Sequence, residues 1–294
     1  MSLHRRSLLA LASGLALVLS ACAVGRVSVP QETVYAVTRQ HELIRFKSDR
    51  PGQVLERRSL SGLAPGESLR GIDYRVARGV LFALADSGRL YTIDTAQARL
   101  APVAAAAPVP WPVQGGVTGF DFNPTVDRIR VLGSSGQSLR LHPETNAVVD
   151  GNPAQPGLQL DGGLHYVADD RHAGRTPDVS GVAYTYNRKN EKITTNYVID
   201  RALGALLMQG SAEGAEPVIS PNTGQLRTVG LLGTGALAEA HFDISDIANT
   251  ALLAARLAGQ TQTRLYQVDL ASGRATEIGL IGQGEPLAGM AIEP

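Results

Sequence analysis

Cysteine is almost missing from this chain, because its 294 residues contain only Cys22. A single cysteine cannot form a disulfide within the chain, so an exported form of the protein has to gain its stability from a packed core. Tryptophan also occurs once, and aromatic residues make up only 5% of the sequence. This scarcity argues against a carbohydrate-binding platform that depends on stacked aromatic rings.

An excess of charge of either sign is also missing. The sequence has 27 basic and 27 acidic residues, and neither kind forms a run. Proteins that bind nucleic acid usually carry a basic patch that replaces the counterions of the phosphates. We therefore expect no nucleic-acid partner.

Long apolar runs are few, and the clearest one lies at the start of the chain. Residues 8–19 are mostly apolar, they follow Arg5 and Arg6, and they lead into the sequence Leu-Ser-Ala-Cys at residues 19–22. The run is too short for a spanning helix and is typical of a secretory signal. Its ending resembles a bacterial lipobox, which predicts a lipoprotein signal peptide over residues 1–21 and lipidation of Cys22.

The lipobox predicts how the rest of the chain is organised and where it is located. Residues 22–32 would be a lipidated tether, and residues 33–294 would form a single domain. Acyl chains on Cys22 would make the membrane a partner, since each buried methylene group adds about 0.8 kcal/mol of binding. Ala23 is not the aspartate that resembles an inner-membrane retention signal. We therefore expect a cell-envelope protein, anchored in the outer membrane and facing the periplasm.

The most informative pattern is a four-residue phrase that occurs five times, at intervals of 48, 62, 60 and 48 residues. Repeats of this length made of short strands are typical of propellers. The five copies are Gly71-Ile72-Asp73-Tyr74, Gly119-Phe120-Asp121-Phe122, Gly181-Val182-Ala183-Tyr184, His241-Phe242-Asp243-Ile244 and Gly289-Met290-Ala291-Ile292.

The segment around the first copy shows how one repeat is built. Four short apolar stretches, separated by tight polar turns, span residues 69–103, as expected for one propeller blade. The last copy has no strands after it, and three strand-like stretches stand unassigned at residues 33–37, 42–46 and 54–60. Joining the two ends closes the ring and removes exposed sheet edges. We predict an all-β, five-bladed β-propeller with one blade shared between the termini, with a six-bladed propeller as the alternative.

The third position of the phrase is the first candidate for function. The first strand of a blade lies nearest the central channel, so Asp73, Asp121 and Asp243 would approach one another there, while Ala183 and Ala291 occupy the same position in the other two blades. Such a cluster could bind a ligand or a hard cation such as Ca²⁺. Alternatively, each aspartate accepts backbone hydrogen bonds and has a structural role.

Two arginines are the second candidate. Arg128 and Arg130 alternate with apolar residues, which places both on one face of a strand. Paired guanidinium groups suit the recognition of a carboxylate or a phosphate. They equally suit structural ion pairs with Asp121 or Asp127.

Six short motifs carry a family likeness, most strongly at residues 119–124, 127–131 and 136–141, and further at residues 166–170, 182–187 and 224–230. They resemble one bacterial family, the domain of unknown function 4394. The similarity covers most of residues 33–294. The family usually has Tyr-Thr-Asn where this chain has Tyr184-Thr185-Tyr186-Asn187. The resemblance implies a secreted, β-propeller-like domain and names no substrate.

The sequence contains no complete catalytic motif. We therefore expect a non-enzymatic propeller that binds a partner protein or a small ligand at one face of the ring. The alternative is a hydrolase, because some five-bladed propellers are glycosidases that use carboxylates around the channel. A channel Ca²⁺ site is the third possibility.

Overall fold

The fold consists almost entirely of short strands. A computed structural model describes residues 31–104 and 111–294. The only helices in these ranges are two 3₁₀ turns, Val76–Arg78 and Pro221–Thr223. No helix in the described part of the chain is long and apolar enough to cross a membrane. The predicted signal peptide, Cys22 and most of the predicted tether lie outside the described residues.

The first seven strands form one blade and most of another. Blade 1 contains β1 (Thr33–Thr38), β2 (Glu42–Lys47) and β3 (Val54–Ser59). Blade 2 is a complete antiparallel sheet of β4 (Leu69–Arg75), β5 (Val80–Ala85), β6 (Leu90–Asp94) and β7 (Arg99–Pro102). The strands of blade 1 agree with the predicted stretches to within a residue or two, and those of blade 2 lie within the predicted span of residues 69–103.

The remaining strands complete the other blades. Blade 3 has β8 (Val117–Asn123), β9 (Arg128–Gly133) and β10 (Ser138–Leu141). After β11 (His165–Tyr166), blade 4 has β12 (Val179–Tyr184), β13 (Asn196–Asp200), β14 (Ala205–Gln209) and β15 (Gln225–Leu231). Blade 5 has β16 (Leu237–Ile244), β17 (Ala251–Leu257), β18 (Thr263–Val268) and β19 (Ala275–Leu280), and the chain ends with β20 (Leu287–Ile292).

The two ends of the chain close the ring. Strand β20 pairs with β1 in antiparallel register, with Ala36 opposite Met290, and so becomes the innermost strand of blade 1. The innermost strands β20, β4, β8, β12 and β16 contact one another in a closed cycle. The protein is therefore a five-bladed β-propeller with a shared closing blade, as predicted, and the six-bladed alternative is wrong.

Apolar and polar side chains alternate along the innermost strands, so such a strand has one apolar face and one polar face. Ile72 and Tyr74 are buried in a cluster with Tyr35 of blade 1, whereas Asp73 points the other way and contacts blade 3. The first residue of the phrase is glycine where blades approach closely. A Cβ on Gly71 would lie 2.5 Å from the Cβ of Phe120 in the next blade. The repeated phrase therefore reflects the packing between neighbouring innermost strands.

Blades 3 and 4 depart from the four-stranded pattern. Blade 3 has three strands plus an isolated bridge between Leu141 and Val148. The long segment that follows crosses to blade 4, where β11 pairs in parallel with β15 and gives that blade five strands. This segment accounts for the interval of 62 residues between the second and third copies of the phrase, and its two-residue strand is too short to show a strand pattern in the sequence.

Candidate functional site

Three buried aspartates meet at the axis of the ring. Asp73, Asp121 and Asp243 each lie on an innermost strand, and one carboxylate oxygen from each lies within 4.8 Å of the other two. Their residues are only 4–6% exposed. The predicted convergence of these side chains is therefore present in the structure.

Each carboxylate accepts a backbone hydrogen bond from the next blade around the ring. The Phe122 N–H donates to Asp73 Oδ2 at 2.7 Å, and the Tyr184 N–H donates to Asp121 Oδ2 at 3.0 Å. The Ile292 N–H donates to Asp243 Oδ2 at 2.6 Å, which connects the end of the chain to blade 5. The donor is always the residue that follows the third position of the phrase.

The backbone amides at the fourth position of the phrase in blades 2 and 5 have a different partner, because the preceding blade carries an alanine in place of an aspartate. Ala183 and Ala291 offer no side-chain acceptor to the blade that follows them. In those following blades the amide turns to the aspartate of its own strand: the Ile244 N–H donates to Asp243 Oδ1 at 2.6 Å, and the Tyr74 amide hydrogen-bonds to Asp73. Three aspartates therefore serve all five amides at this level of the ring.

Burial and crowding make these carboxyl groups weak acids. Burial, together with the charge of Asp243, raises the pKa of Asp73 well above its ordinary value. Burial and the charges of Asp73 and Asp243 do the same to the pKa of Asp121. Burial raises the pKa of Asp243 to about 6, against which its two backbone hydrogen bonds act. The cluster therefore tends to retain protons near neutral pH.

This geometry fits a structural role better than the two alternatives. Glycosidases place their carboxyl groups about 5–10 Å apart around an accessible sugar, whereas these groups are closer together and buried. A Ca²⁺ ion needs six to eight oxygen ligands, whereas these carboxylates are already engaged by backbone N–H donors. The site favours neither the hydrolase nor the cation hypothesis.

Arg130 lies away from the channel in a buried ion-pair network. Its guanidinium group donates to Asp161 Oδ2 at 2.6 Å, and Asp161 also accepts from Arg140. Further hydrogen bonds join Arg130 to Tyr184 Oη at 3.0 Å and to Asn222 Oδ1 at 2.5 Å. The predicted pairing of Arg130 with Asp121 or Asp127 is wrong, because the long segment after blade 3 places Asp161 beside its guanidinium group.

Arg128 and Arg130 do not act as a pair. The Arg128 Nη1 group donates to the backbone carbonyl of Asp127 at 2.8 Å, and the Asp127 carboxylate pairs with Arg75 instead. Arg128 lines a groove of about 470 Å³ between blades 3 and 4, together with Arg140. Ligand binding by Arg128 stays a prediction, whereas Arg130 is enclosed by protein groups.

A pocket of about 310 Å³ opens at the end of the ring where the innermost strands finish. We call it the aspartate-end pocket. It is lined by Arg75, Val76, Ala77, Phe122, Asn123, Pro124, Thr125, Asp127, Tyr186, Asn187, Arg188, Glu191, Ile193 and Asp246. Tyr186 is largely buried and lies near the three aspartates. Its burial, and then their charges, raise the pKa of its hydroxyl far above the ordinary value.

The candidate residues predicted from the sequence do not include this lining, although the sequence contains a simple signal for it. Arg75 and Asn123 directly follow copies of the phrase, and Tyr186 and Asp246 stand two residues beyond two others. Once the phrase is assigned to the innermost strands, the residues just after it must meet at one end of the ring. Tyr186 is the extra residue in Tyr184-Thr185-Tyr186-Asn187 relative to the usual Tyr-Thr-Asn of the resembled family.

The closed ring and its axial carboxylates define a β-propeller with a hydrogen-bonded centre. The family described as domain of unknown function (DUF4394) matches residues 42–291, so the chain belongs to this family. The likeness seen in the sequence motifs is thus confirmed. Among curated proteins, none matches the sequence significantly.

Several solved structures resemble the chain at low sequence identity. A structural genomics protein of unknown function from Bacteroides thetaiotaomicron has 12% identity and a TM-score of 0.46, with 88% of this chain and 63% of that chain covered. A chain of a nidogen/laminin complex has 11% identity and a TM-score of 0.47, with 90% and 99% covered. Hydrazine synthase from Kuenenia stuttgartiensis has 14% identity and a TM-score of 0.39, with 79% and 53% covered. These similarities assign no function.

Proposed function

We propose that this protein is a lipid-anchored, extracytoplasmic binding protein that holds a small, positively charged ligand in the aspartate-end pocket. The observation that carries the proposal is the position of this pocket over the buried aspartates. Asp243, whose pKa is raised only to about 6, keeps most of its negative charge at neutral pH, and the pocket opens at this end of the ring. The three aspartates would fix the blades around the pocket, and the charge of Asp243 would add a long-range attraction, without any of them contacting the ligand.

The balance of charge in the pocket supports a cationic ligand. Arg75 is paired with Asp127 at 2.8 Å and with Glu144 at 3.1 Å, so its charge is neutralised. Arg188 and Glu191 are both exposed, and their formal charges are opposite, so together they add no net charge to the lining. Asp246 has no ion-pair or hydrogen-bond partner among the residues that the structure describes, and its carboxylate is available to a ligand.

The size and apolar content of the pocket point the same way. A volume of about 310 Å³ is at the lower end of the range for ligand pockets, about 300–1,000 Å³. Phe122 and Tyr186 contribute aromatic surface, and the face of an aromatic ring attracts a cation. The pocket therefore suits a small amine or quaternary ammonium compound better than a sugar or an anion.

Calorimetric titration of the purified protein with choline and spermidine tests the proposal, with inositol as a neutral control. Choline or spermidine should bind saturably, and inositol should not. Asp246→Asn should weaken binding about tenfold, as expected for the loss of one contact between a cationic group and a carboxylate. Glu277→Gln, on the outermost strand of blade 5, is the matched control. Absence of binding by both cations, or equal losses in the two variants, would refute the proposed ligand class.

Membrane anchoring is tested separately through Cys22→Ala. The variant should lose acylation and either appear in the soluble envelope fraction or keep its signal peptide. Metabolic labelling with a fatty-acid analogue, followed by fractionation, gives both readouts. Normal processing together with persistent membrane association would contradict the lipid anchor.

A further inference from the structure

The end of the channel opposite the aspartate-end pocket has mainly basic groups among its charged and titratable side chains. A second pocket of about 230 Å³ opens there, at the start of the innermost strands. We call it the arginine mouth. Its charged and titratable lining residues are Arg39, His41, Arg70, Arg201, Glu239 and His241. Arg39 comes from blade 1, Arg70 from blade 2, Arg201 from blade 4 and His241 from blade 5, so the mouth exists only in the closed ring.

His241 is the exception in the repeated phrase. The other four copies begin with glycine, and a Cβ on Gly71, Gly181 or Gly289 would come within 3.0 Å of the next blade. Blade 5 instead places an imidazole in the channel, where the side chain lines both the arginine mouth and the narrow space below it. A large titratable side chain at a position otherwise kept empty points to a role beyond packing.

Two buried nitrogen atoms in this lining have no hydrogen-bond partner. His241 Nε2 and Arg201 Nε are both inaccessible and unpaired within the described ranges. Arg201 uses its other nitrogens, which donate to Asp178 Oδ1 at 2.5 Å and to the Ala238 carbonyl at 3.1 Å. Unpaired polar atoms are costly when buried, and a polar ligand in the mouth would give them partners.

The arginines outnumber the acids around the mouth by one, because the acidic partners of Arg39, Arg70, Arg201 and Arg256 are Glu239, Asp86 and Asp178. Glu239 is the one acid among its lining residues, and it is shared by Arg39 and Arg256. Burial and the neighbouring charges of Arg256 and Arg70 lower the pKa of Arg39 in spite of this ion pair. In the aspartate-end pocket the effect is opposite, because hydrogen bonds to Asp127 and Glu144 raise the pKa of Arg75. The side chains of Arg39 and Arg70 are 55% and 43% exposed, so a ligand can reach them.

We propose that the arginine mouth binds a small oxyanion, a phosphate or carboxylate group, through Arg39, Arg70 and His241. Arginine suits such groups because its planar fork of N–H donors matches two oxygen atoms. The His241 imidazole lines the same pocket, and it would turn towards the mouth so that Nε2 exchanges a hydrogen bond with a ligand oxygen. The limited volume favours an ion or a small molecule.

The position of the mouth favours a soluble ligand over a lipid headgroup. The chain enters β1 at the aspartate end, because Val34 pairs with Ile292 and Thr38 with Leu287. The arginine mouth therefore lies at the far end of the ring from the proposed tether. A soluble oxyanion can approach this end without competing with the membrane.

Titration calorimetry of the full chain, in a neutral detergent and at low salt, tests the proposal with three probes. These are inorganic phosphate, malonate and the short-chain lipid dihexanoylphosphatidylglycerol. Phosphate or malonate should bind saturably, and Arg70→Gln should weaken that binding at least about tenfold. His241→Gly, which restores the residue used by the other blades, should weaken it as well. Arg264→Gln, an exposed arginine on an outer strand, should leave it unchanged.

The probes also separate the possible sources of the oxyanion. Phosphate or malonate binding that depends on Arg70 supports a soluble ligand. Preferential binding of the lipid would overturn the soluble source and assign the mouth to a headgroup. The proposal fails if none of the probes binds, or if Arg264→Gln reduces binding as much as Arg70→Gln does. Circular dichroism of each variant confirms that the ring is intact, and Arg39→Gln provides a second surface variant if His241→Gly does not fold.

Discussion

The Phe122 amide donates a 2.7 Å hydrogen bond to Asp73 Oδ2 across the boundary between blades 2 and 3. Equivalent bonds join Tyr184 to Asp121 and Ile292 to Asp243. A propeller has no continuous sheet between blades, so its backbone groups at the axis need partners from side chains. The three aspartates supply them, and in doing so they connect blades that otherwise meet mainly through apolar packing.

We expect Asp73→Ala to destabilise the protein more than Asp73→Asn does. Asparagine keeps a carbonyl oxygen for the Phe122 N–H, whereas alanine leaves that buried donor unpaired, which costs about 1–3 kcal/mol. Urea denaturation followed by circular dichroism measures the free energy of unfolding of both variants. Equal unfolding free energies would mean that the inter-blade bond contributes nothing.

The stability of the protein should depend on pH through Asp243. Burial raises the pKa of this carboxyl from 3.8 to about 6, so the folded state binds the proton more tightly than the unfolded chain. The resulting stabilisation is complete below about pH 4 and is lost as the pH rises through about 6. Asp73 and Asp121 act in the same direction, because their pKa values are also raised.

His241 opposes this trend and has to be separated from it. Burial lowers the pKa of His241 to about 4, so its contribution to stability is lost as the pH falls from about 6.5 towards 4. The informative quantity is therefore the difference between the wild-type and Asp243→Asn profiles. Between pH 5 and pH 8 the wild type should lose more unfolding free energy than the variant, by on the order of 1 kcal/mol. Asp94→Asn, at the exposed end of β6, should follow the wild type, and parallel profiles for Asp243→Asn would contradict the prediction.

Asp161→Ala should be among the most damaging single substitutions. The Asp161 carboxylate is 1% exposed and neutralises Arg130, whose side chain is also 1% exposed. Removal of one partner of a buried ion pair leaves an uncompensated charge and costs about 3–5 kcal/mol. Glu277→Ala breaks an exposed pair with Arg264 and should cost less than about 1 kcal/mol. Thermal and urea denaturation of the two variants would show the contrast, and similar losses would contradict it.

Gly71→Ala tests the close approach of two innermost strands. The added Cβ would lie 2.5 Å from the Phe120 Cβ, so β4 and β8 would have to separate. Overpacking of this kind typically costs about 1–3 kcal/mol. Gly52→Ala is the control, because the nearest atom to its new Cβ is 3.5 Å away. A Gly71→Ala protein with the unfolding free energy of the control would show that the blades adjust freely.

Deletion of residues 287–294 should abolish the folded state. This segment contains β20, and without it β1 loses its inner neighbour and blades 2 and 5 lose the strand between them. The truncated chain should be insoluble or lack cooperative unfolding. Deletion of Pro294 alone leaves β20 intact and should be neutral. A cooperatively folded truncation would contradict the role of the shared blade in ring closure.

Much of the fold could be predicted from the sequence because it is local and repeated. The alternation in copies of the phrase, such as Ile72 and Tyr74 against Asp73, indicates which face of the strand is apolar. The five copies indicate the number of blades, and the unpaired strands at the two ends indicate how the ring closes. The convergence of Asp73, Asp121 and Asp243 followed from the same assignment.

What the sequence could not predict depends on distant segments. Asp161 lies in a segment without a strand pattern, so its pairing with Arg130 required the path of the chain between blades 3 and 4. The arginine mouth draws Arg39, Arg70 and Arg201 from three blades, and no short-range spacing relates them.

The sequence by itself determined the architecture of this protein, because each blade is specified by short-range alternation and tight turns. It also determined that three blades offer an aspartate at the axis and two offer an alanine. Only the tertiary structure decided what those aspartates do. Their burial and their hydrogen bonds to the next blade arise when the ring closes, and that closure also separates an acidic end of the channel from a basic one.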